Sequence, residues 1–258
     1  MFRQILHSEW TKLRSVRSTW WIVTVVVVLT AGVGVAISAT AAAEPSSSAL
    51  PADVATRTAI GAILAQLALG TLGVLVISGE YGSGMIRTSM TVVPRRLPVL
   101  AAKIAVYVAL VLPQTAVTSV GTFVLGQVAW RSHHRPAASL GDPIVARIVF
   151  GAALYLTLAG VCAVAIGTLL RSTAGGITVV AGVFFVVPTV IQAMPSQISD
   201  AARFLPSNAG GGLSRIATSS HSLPPWPGFA LLCGYAAVLV AAAAWRLRRA
   251  DVGGLGDS

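Results

Sequence analysis

The sequence predicts an all-α integral membrane protein, in which six transmembrane helices follow an amphipathic interfacial helix and both termini lie in the cytoplasm. Three observations lead to this prediction. Of the 258 residues, 55% are hydrophobic and only 10% are charged, and the mean hydropathy is +0.80. The apolar residues form six long runs, and basic residues are concentrated between alternate runs. A soluble domain could not cover so much apolar surface, whereas a lipid bilayer accepts it.

Each apolar run is predicted to be a helix that crosses the bilayer. About 20 apolar residues are needed to span the hydrocarbon core, and lipid offers no hydrogen-bond partner to an open backbone. The runs are continuous and lack the strict alternation of a membrane β-barrel. We treat residues 1–258 as one transmembrane domain, with membrane helices at 20–40, 59–77, 99–128, 144–170, 177–194 and 229–245.

The first run has a second interpretation, as a cleaved signal peptide. The chain begins with a basic segment, and the small residues from Ala39 to Ala43 resemble a cleavage site. However, the apolar stretch is about 20 residues long, beyond the roughly 7–15 of a signal peptide. We therefore expect this helix to be retained.

The distribution of basic residues sets the predicted orientation. With both ends in the cytoplasm, 12 of the 18 Lys and Arg residues lie on the cytoplasmic side. This excess follows the positive-inside rule, although the external loop 130–147 carries three Arg residues against it. The prediction is a multi-pass protein of the cell membrane, surrounded by the lipid bilayer.

The N-terminal segment 2–18 is predicted to be a helix lying in the membrane interface. Its apolar residues fall on one side at helical spacing, and Trp10 suits the headgroup level. Glu9 lies near the middle of this apolar side. Two explanations remain open: Glu9 pairs with nearby Lys12 or an arginine, or it makes a buried contact with another helix.

Several function classes lack the residues that they need. The net charge of +10 falls in short clusters between apolar runs, so nucleic acid is not an expected partner. The four histidines lie outside the predicted core, which leaves no embedded catalytic histidine and no metal site. No Walker A loop is present. We expect no enzyme activity and no cofactor bound by this chain.

Neutral polar residues interrupt the apolar runs where an ion-driven carrier would place carboxylates. All eight acids fall in loops or tails. The neutral groups either form hydrogen bonds between helices or line a substrate path, and both readings stay open. The residues considered for a path are Gln66, Gln114, Thr115 and Thr118.

Two connecting segments have a character of their own. In the cytoplasmic loop 78–98, glycines end the second membrane helix, Ser83 caps a short helix over 85–92, and Pro94 ends it. The external segment 195–228 is too long for a turn and too short for a domain. We expect it to form a cap or a partly re-entrant hairpin.

Short motifs along nearly the whole chain carry a resemblance to a known family. They are Ser8-Glu9-Trp10-Thr11-Lys12-Leu13-Arg14-Ser15, Gly79-Glu80-Tyr81-Gly82-Ser83-Gly84-Met85-Ile86-Arg87-Thr88, Pro94-Arg95-Arg96, Ala101-Ala102-Lys103, Ile166-Gly167-Thr168-Leu169-Leu170-Arg171-Ser172-Thr173-Ala174-Gly175 and Phe204-Leu205-Pro206-Ser207-Asn208-Ala209. In this order the chain resembles the membrane subunit, or permease, of ABC-type-2 exporters.

The resemblance implies an ATP-driven exporter whose ATPase is a separate chain. Residues 85–93 would be the coupling helix in a groove of that ATPase, with Glu80 and Arg87 bracing it and Arg95 and Arg96 meeting lipid or ATPase acids. Glu80 and Gly84 fit the family pattern, whereas Met85 replaces its threonine. A second copy or a related permease would complete the transporter, and the partner ATPase would bind ATP and Mg. The substrate would be hydrophobic or amphipathic, such as a drug or antibiotic.

A competing class is a membrane protein that transports nothing, such as an anchor, an assembly factor or an immunity protein. This class predicts no ATPase partner and predicts that changes between Glu80 and Arg96 are tolerated. An integral membrane enzyme ranks third, because reactive groups at a suitable depth are missing.

Overall fold

The computed structural model describes residues 2–43, 51–82, 96–134, 138–194, 200–216 and 223–252. Within these ranges the regular structure is helical throughout and contains no strand, which confirms the all-α class. In the described ranges six helices are long and apolar enough to cross a membrane, also as predicted. They are Arg17–Ala43, Ala52–Ser78, Leu97–Ser132, Pro143–Leu170, Thr173–Ile191 and Pro225–Arg249.

The helices are numbered here in chain order. Helix α1 is Phe2–Ser15, and α2 runs continuously through Arg17–Val28, Leu29–Val33 and Gly34–Ala43. Helices α3 (Pro51–Ala59) and α4 (Gly61–Gly82) follow, then α5 (Arg96–Ser132) and α6 (Pro143–Leu170). Helix α7 comprises Thr173–Ala181, Gly182–Val186 and Val187–Gln192. After the 3₁₀ turn Asp200–Phe204 come α8 (Pro206–Gly211), the 3₁₀ turn Gly212–Ser214 and α9 (Pro225–Val252).

The long helices alternate in direction, as expected for successive crossings. Between α5 and α6, Tyr107 lies against Gly160 while Thr115 lies against Ala153, so residue numbers rise in one helix as they fall in the other. Helix α6 therefore runs antiparallel to α5. Its contact with α4, by contrast, is parallel.

Helix α6 is the centre of the bundle. In its most apolar 18-residue window, 83% of the residues are buried, against 22% in the corresponding windows of α2, α7 and α9. Fully buried side chains from three other helices pack around it, including Leu69, Leu72, Tyr107 and Leu232. The outer helices expose the apolar faces that lipid would cover.

Small residues allow the central helices to approach closely. A Cβ atom at Gly73 of α4 would lie 2.6 Å from the carbonyl oxygen of Gly160 in α6. A side chain at Gly160 would in turn meet the ring of Tyr107. In lipid no hydrophobic force drives helices together, so their association depends on van der Waals packing, which close backbone contacts of this kind provide.

The two ends of α6 are fixed by local hydrogen bonds. The Asp142 carboxylate accepts a hydrogen bond from the backbone N–H of Ile144 at 2.8 Å, and Pro143 occupies the first helical position. At the other end Arg171 adopts the left-handed conformation with φ 54°. Ser172 then caps α7 by accepting from the N–H of Gly175 at 3.2 Å. As a result, α7 starts immediately after α6.

Among the residues that the structure describes, two helices contain one π-helical turn each, at Leu29–Val33 in α2 and at Gly182–Val186 in α7. Such turns widen the backbone ladder to an i→i+5 pattern and are frequent near functional sites. Both turns here lie close to the join between α3 and α4. Thr30 contacts Gly61, and the carbonyl of Phe184 contacts Gln66.

The connecting segments are described only in part. The expected Ser83 cap and the short helix 85–92 lie outside the described residues. In the external segment of the prediction, the described part forms the two 3₁₀ turns and α8, which pack against α6 and α9. Leu213 lies against Gly151 of α6, and Gly210 lies against Leu232 of α9.

Candidate functional site

The first candidate site is an ion-pair cluster that joins three helices, and we call it the Glu9 junction. It consists of Glu9 and Lys12 on α1, Lys103 on α5 and the carbonyl of Val76 on α4. The Lys103 ammonium donates to Glu9 Oε2 at 2.7 Å and to the carbonyl oxygen of Val76 at 3.2 Å. Lys12 donates to Glu9 Oε1 at 2.9 Å.

The central pair of this junction is buried. Glu9 is 5% exposed and Lys103 is 4% exposed, whereas the side chain of Lys12 is 40% exposed. Removing two charges from water costs several kcal/mol per ion, and good geometry with further hydrogen bonds must offset that cost. The carboxylate has two cationic partners, and the ammonium has a carboxylate and a carbonyl.

The two explanations offered for Glu9 are both realised. Its first carboxylate oxygen pairs with Lys12 one turn along α1, and its second reaches Lys103, which is 94 residues away in sequence. The neighbouring Trp10 is 39% exposed and lines a groove with Leu13 and Trp20. An exposed apolar side next to a charged junction agrees with an interfacial helix, although that location remains a prediction.

The predicted coupling residues lie next to the Glu9 junction along the chain. Glu80 is in the last part of α4, one turn beyond Val76, and Arg96 is the first residue of α5. The side chains of both residues lie outside the description, as do Gly84, Met85, Arg87 and Arg95 entirely. The segment 83–95 therefore connects two helices that the junction ties together, and its role in coupling remains a prediction.

The second candidate site is a cavity of about 500 Å³ between α3, α4, α6, α7 and the segment 200–216, which we call the Gln66 cavity. Its apolar wall includes Ile60 and Ile63 on one side and Phe184 and Pro188 on the other. Its polar wall comprises Thr56, Gln66, Tyr155, Thr189, Ser207, Asn208, Ser214 and Arg215.

Gln66 fastens three helices at the inner end of this cavity. The Tyr155 hydroxyl of α6 donates to Gln66 Oε1, and Gln66 Nε2 donates to the carbonyl oxygen of Phe184 at 3.1 Å. The acceptor belongs to the π-helical turn of α7 and lies four residues before Pro188, which has no N–H to donate to it. The amide of Gln66 is thus satisfied within the protein, and its side chain is held in one orientation.

Arg147 of α6 fixes the segment that covers the Gln66 cavity. Its guanidinium donates to the carbonyl oxygens of Gly212 at 3.3 Å, Leu213 at 3.0 Å and Arg215 at 3.2 Å. A planar cation with several fixed donors can bind consecutive backbone carbonyls in this way. The described part of the external segment is therefore attached to the start of α6.

The residues considered for a substrate path are separated in the structure. Gln66 lies on the cavity wall, as described above. Gln114, Thr115 and Thr118 lie on α5, away from this cavity. Thr115 is buried and donates to the carbonyl of Val111 at 2.8 Å, and Gln114 Nε2 donates to Thr118 Oγ1 at 3.2 Å. These contacts fit the alternative that the neutral groups form hydrogen bonds within and between helices.

Four residues that organise the two sites had no site role in the prediction from the sequence: Lys103, Arg147, Tyr155 and Arg215. Lys103 and Arg147 had one available signal, since each is a cation placed near the start of a long apolar helix. A charge in such a position needs a partner. For Tyr155 and Arg215 no signal existed, because a single sequence does not indicate which helices touch.

Within the described ranges, no group of three or more His, Cys, Asp or Glu side chains is arranged to hold a metal ion. A scan against models of known protein families finds no match. A search of curated proteins finds no significant match either. The resemblance to ABC-type-2 permeases therefore rests on the motifs in this sequence.

Proposed function

We propose that this chain is the membrane-spanning permease subunit of an ATP-driven exporter, powered by a separate ATPase subunit. The observation that carries the proposal is the Glu9 junction. A single ammonium group, that of Lys103, connects α1, α4 and α5. The predicted coupling helix 85–93 lies, in the sequence, between helices α4 and α5.

The junction suits the transmission of a mechanical displacement. If an ATPase moved the segment 83–95, the ends of α4 and α5 would move with it, and α1 would follow through Glu9. A buried, well-paired ion pair resists separation, because moving one partner away leaves an uncompensated charge in an apolar environment. A push on one short segment then acts on three helices at once.

The proposed mechanism is alternating access. Two permease copies, or this chain and a related permease, would pair around a central path and bind two ATPase subunits that carry ATP and Mg. Closure of the ATPases would favour one of two arrangements of the helices, because their contacts with the coupling segments differ between the arrangements. The substrate would be a hydrophobic or amphipathic molecule.

The proposal includes an orientation. The Glu9 junction and both chain termini would face the cytoplasm, where the ATPase binds, and α1 would lie in the interface. The Gln66 cavity and the segment 200–216 would then lie toward the outer side of the cell membrane. The excess of basic residues on the first side supports this arrangement.

The test is purification from native membranes through a C-terminal tag, followed by identification of co-purifying ATP-binding proteins. We expect an ATPase to be recovered with the wild-type chain and to be strongly reduced with Glu80→Ala and with Arg87→Ala. Arg131→Ala is the matched control, since Arg131 is an exposed cation at the opposite end of α5. This variant is expected to recover the ATPase at the wild-type level.

Two results would overturn the proposal. One is the absence of any ATP-binding protein after extraction into both mild detergent and lipid nanodiscs. The other is equal recovery with wild type, Glu80→Ala and Arg87→Ala, because the segment would then have no part in binding the ATPase. Either result favours the anchor or immunity class.

A further inference from the structure

We propose that the Gln66 cavity binds an amphipathic anion, with the anionic group at Arg215 and the apolar body between α4 and α7. The proposal assigns a binding site that is complete within one copy of the chain. If this cavity belongs to the transport path, the ligand class is also that of the substrate, and this part of the proposal rests on the proposed function. Binding itself needs no ATPase.

The charge of the cavity wall indicates the sign of the ligand. Arg215 is the one charged residue among those that the structure describes on this wall. Its guanidinium makes no hydrogen bond or ion pair with any described residue. A guanidinium offers five donors in a planar fork that matches a carboxylate or a phosphate.

The position of Arg215 is fixed by the backbone. Arg147 holds the carbonyl oxygens of Gly212, Leu213 and Arg215 itself, which fastens this stretch to α6. The side chains of Arg215 and Thr189 both line the cavity and both are exposed, so the cavity opens at the protein surface. Because the backbone is already held in place, binding has to order the Arg215 side chain but not the segment that carries it.

The remainder of the wall suits an apolar body. Ile60 and Ile63 of the α3–α4 region face Phe184 and Pro188 of α7 across the cavity. The volume of about 500 Å³ falls within the range of roughly 300–1,000 Å³ that is usual for small-molecule sites. A single long alkyl chain or a drug-sized apolar body fits such a volume.

A second polar feature lies in the same wall. The Ser207 hydroxyl belongs to a residue that is only 8% exposed, and it has no hydrogen-bond partner among the described protein groups. The hydroxyl oxygen of Thr56 is also buried and unpaired, on a residue that is half-buried overall. Buried polar groups are normally paired, so these two hydroxyls leave hydrogen-bonding capacity unused beside the cavity.

The experiment uses the full chain in nanodiscs of zwitterionic phosphatidylcholine, with tritiated palmitate as the probe and scintillation proximity as the readout. Three competitors test the contributions of the anionic group and the alkyl chain separately. Hexadecyl phosphate carries both, hexadecanol carries only the chain, and inorganic phosphate carries only the anionic group. We expect hexadecyl phosphate to displace palmitate and the other two to be at least tenfold weaker.

Arg215→Gln should weaken palmitate binding by about 10- to 100-fold, which corresponds to loss of a charge-assisted contact. Its matched control is Arg203→Gln, which removes an exposed cation on the same segment but outside the wall. Thr189→Trp should block the cavity, whereas Val190→Trp on the adjacent exposed position should not. Size-exclusion profiles verify that each variant is folded.

The ligand class is overturned if hexadecanol displaces tritiated palmitate as well as hexadecyl phosphate does. It is also overturned if Arg215→Gln binds palmitate like the wild type. The site is overturned if Thr189→Trp leaves binding unchanged. Palmitate binding without any co-purifying ATPase overturns the permease proposal and retains the site. Recovery of the ATPase without palmitate binding retains the permease and overturns the ligand class.

Discussion

The Glu9 junction and the Arg147 region both use a basic residue near one end of a membrane-length helix, but they satisfy it differently. Lys103 is buried against a carboxylate, and Lys12 pairs with the same carboxylate. Among the described residues Arg147 donates only to backbone carbonyls, and the neighbouring Arg215 is exposed at the cavity wall. The buried lysine of the first region is thus paired, whereas the arginine of the second leaves a neighbouring cation exposed at a cavity wall. The difference separates a structural connection from a surface that is ready to bind.

The largest expected effect comes from breaking the buried pair. Glu9→Gln removes the carboxylate from Lys103 and should lower the free energy of unfolding by about 3 kcal/mol, because a buried ammonium loses its anionic partner. The measurement is unfolding in mixed micelles with increasing sodium dodecyl sulfate. In a double-mutant cycle, Glu9→Gln combined with Lys103→Met should cost less than the sum of the single changes. Additive costs would mean that the two residues do not interact.

A smaller loss is expected from the opposite end. Arg147→Gln removes three hydrogen bonds to backbone carbonyls and should cost about 2 kcal/mol, since Arg147 is only partly buried and water replaces some of the donors. Limited proteolysis should cut faster within 200–216, while cleavage of the α1 region stays unchanged. Arg203→Gln is the control. Equal cleavage rates in wild type and Arg147→Gln would contradict the assigned attachment.

The hydrogen bond at the inner end of the cavity should contribute less. Tyr155→Phe leaves the amide oxygen of Gln66 without its donor, and we expect a loss of about 1.5 kcal/mol in the same unfolding assay. Cys162→Ala on α6 provides a control that removes a buried group without touching Gln66. If Tyr155→Phe proves neutral, the three helices are held together at this point by packing alone.

The smallest effect is expected from the exposed member of the Glu9 junction. Lys12→Met removes a partner whose side chain is 40% exposed, and it should cost about 0.5 kcal/mol or less, because water screens the pair. The ratio between this cost and that of Glu9→Gln measures how strongly burial matters. Equal costs would show that the junction behaves as a surface ion pair.

Helix number and class followed from apolar runs, because lipid requires long apolar helices and the sequence states their positions directly. Helix ends were harder to predict. The second crossing was expected to begin at 59, yet the polar helix α3, which contains Asp53 and Arg57, begins at Pro51. Polar residues can extend a helix beyond the apolar run, and hydropathy does not detect this. By contrast, Asp142 followed by Pro143 is a helix-start signal, and α6 begins within one residue of its expected position.

The contacts of the sites were less predictable than the helices. Glu9 was recognisable as unusual, because a carboxylate on an apolar helix side requires a partner. Its pairing with Lys103 bridges 94 residues, and no local pattern encodes that distance. The Gln66 cavity depends on how α4, α6 and α7 meet, which in turn depends on glycines such as Gly73 whose packing role appears only in three dimensions.

The π-helical turns of α2 and α7 have a consequence for changes in chain length. In an ordinary α-helix, deleting one residue rotates everything beyond it by about 100° and turns its buried face outward. A π turn already contains one additional residue, so a deletion inside Gly182–Val186 can be absorbed by restoring regular helix while both flanks keep their faces. Such a deletion would cost the Phe184 carbonyl contact of Gln66 but not the bundle. Leu29–Val33 and Gly182–Val186 are therefore the places in these two helices where the chain can lose one residue with the least change in packing.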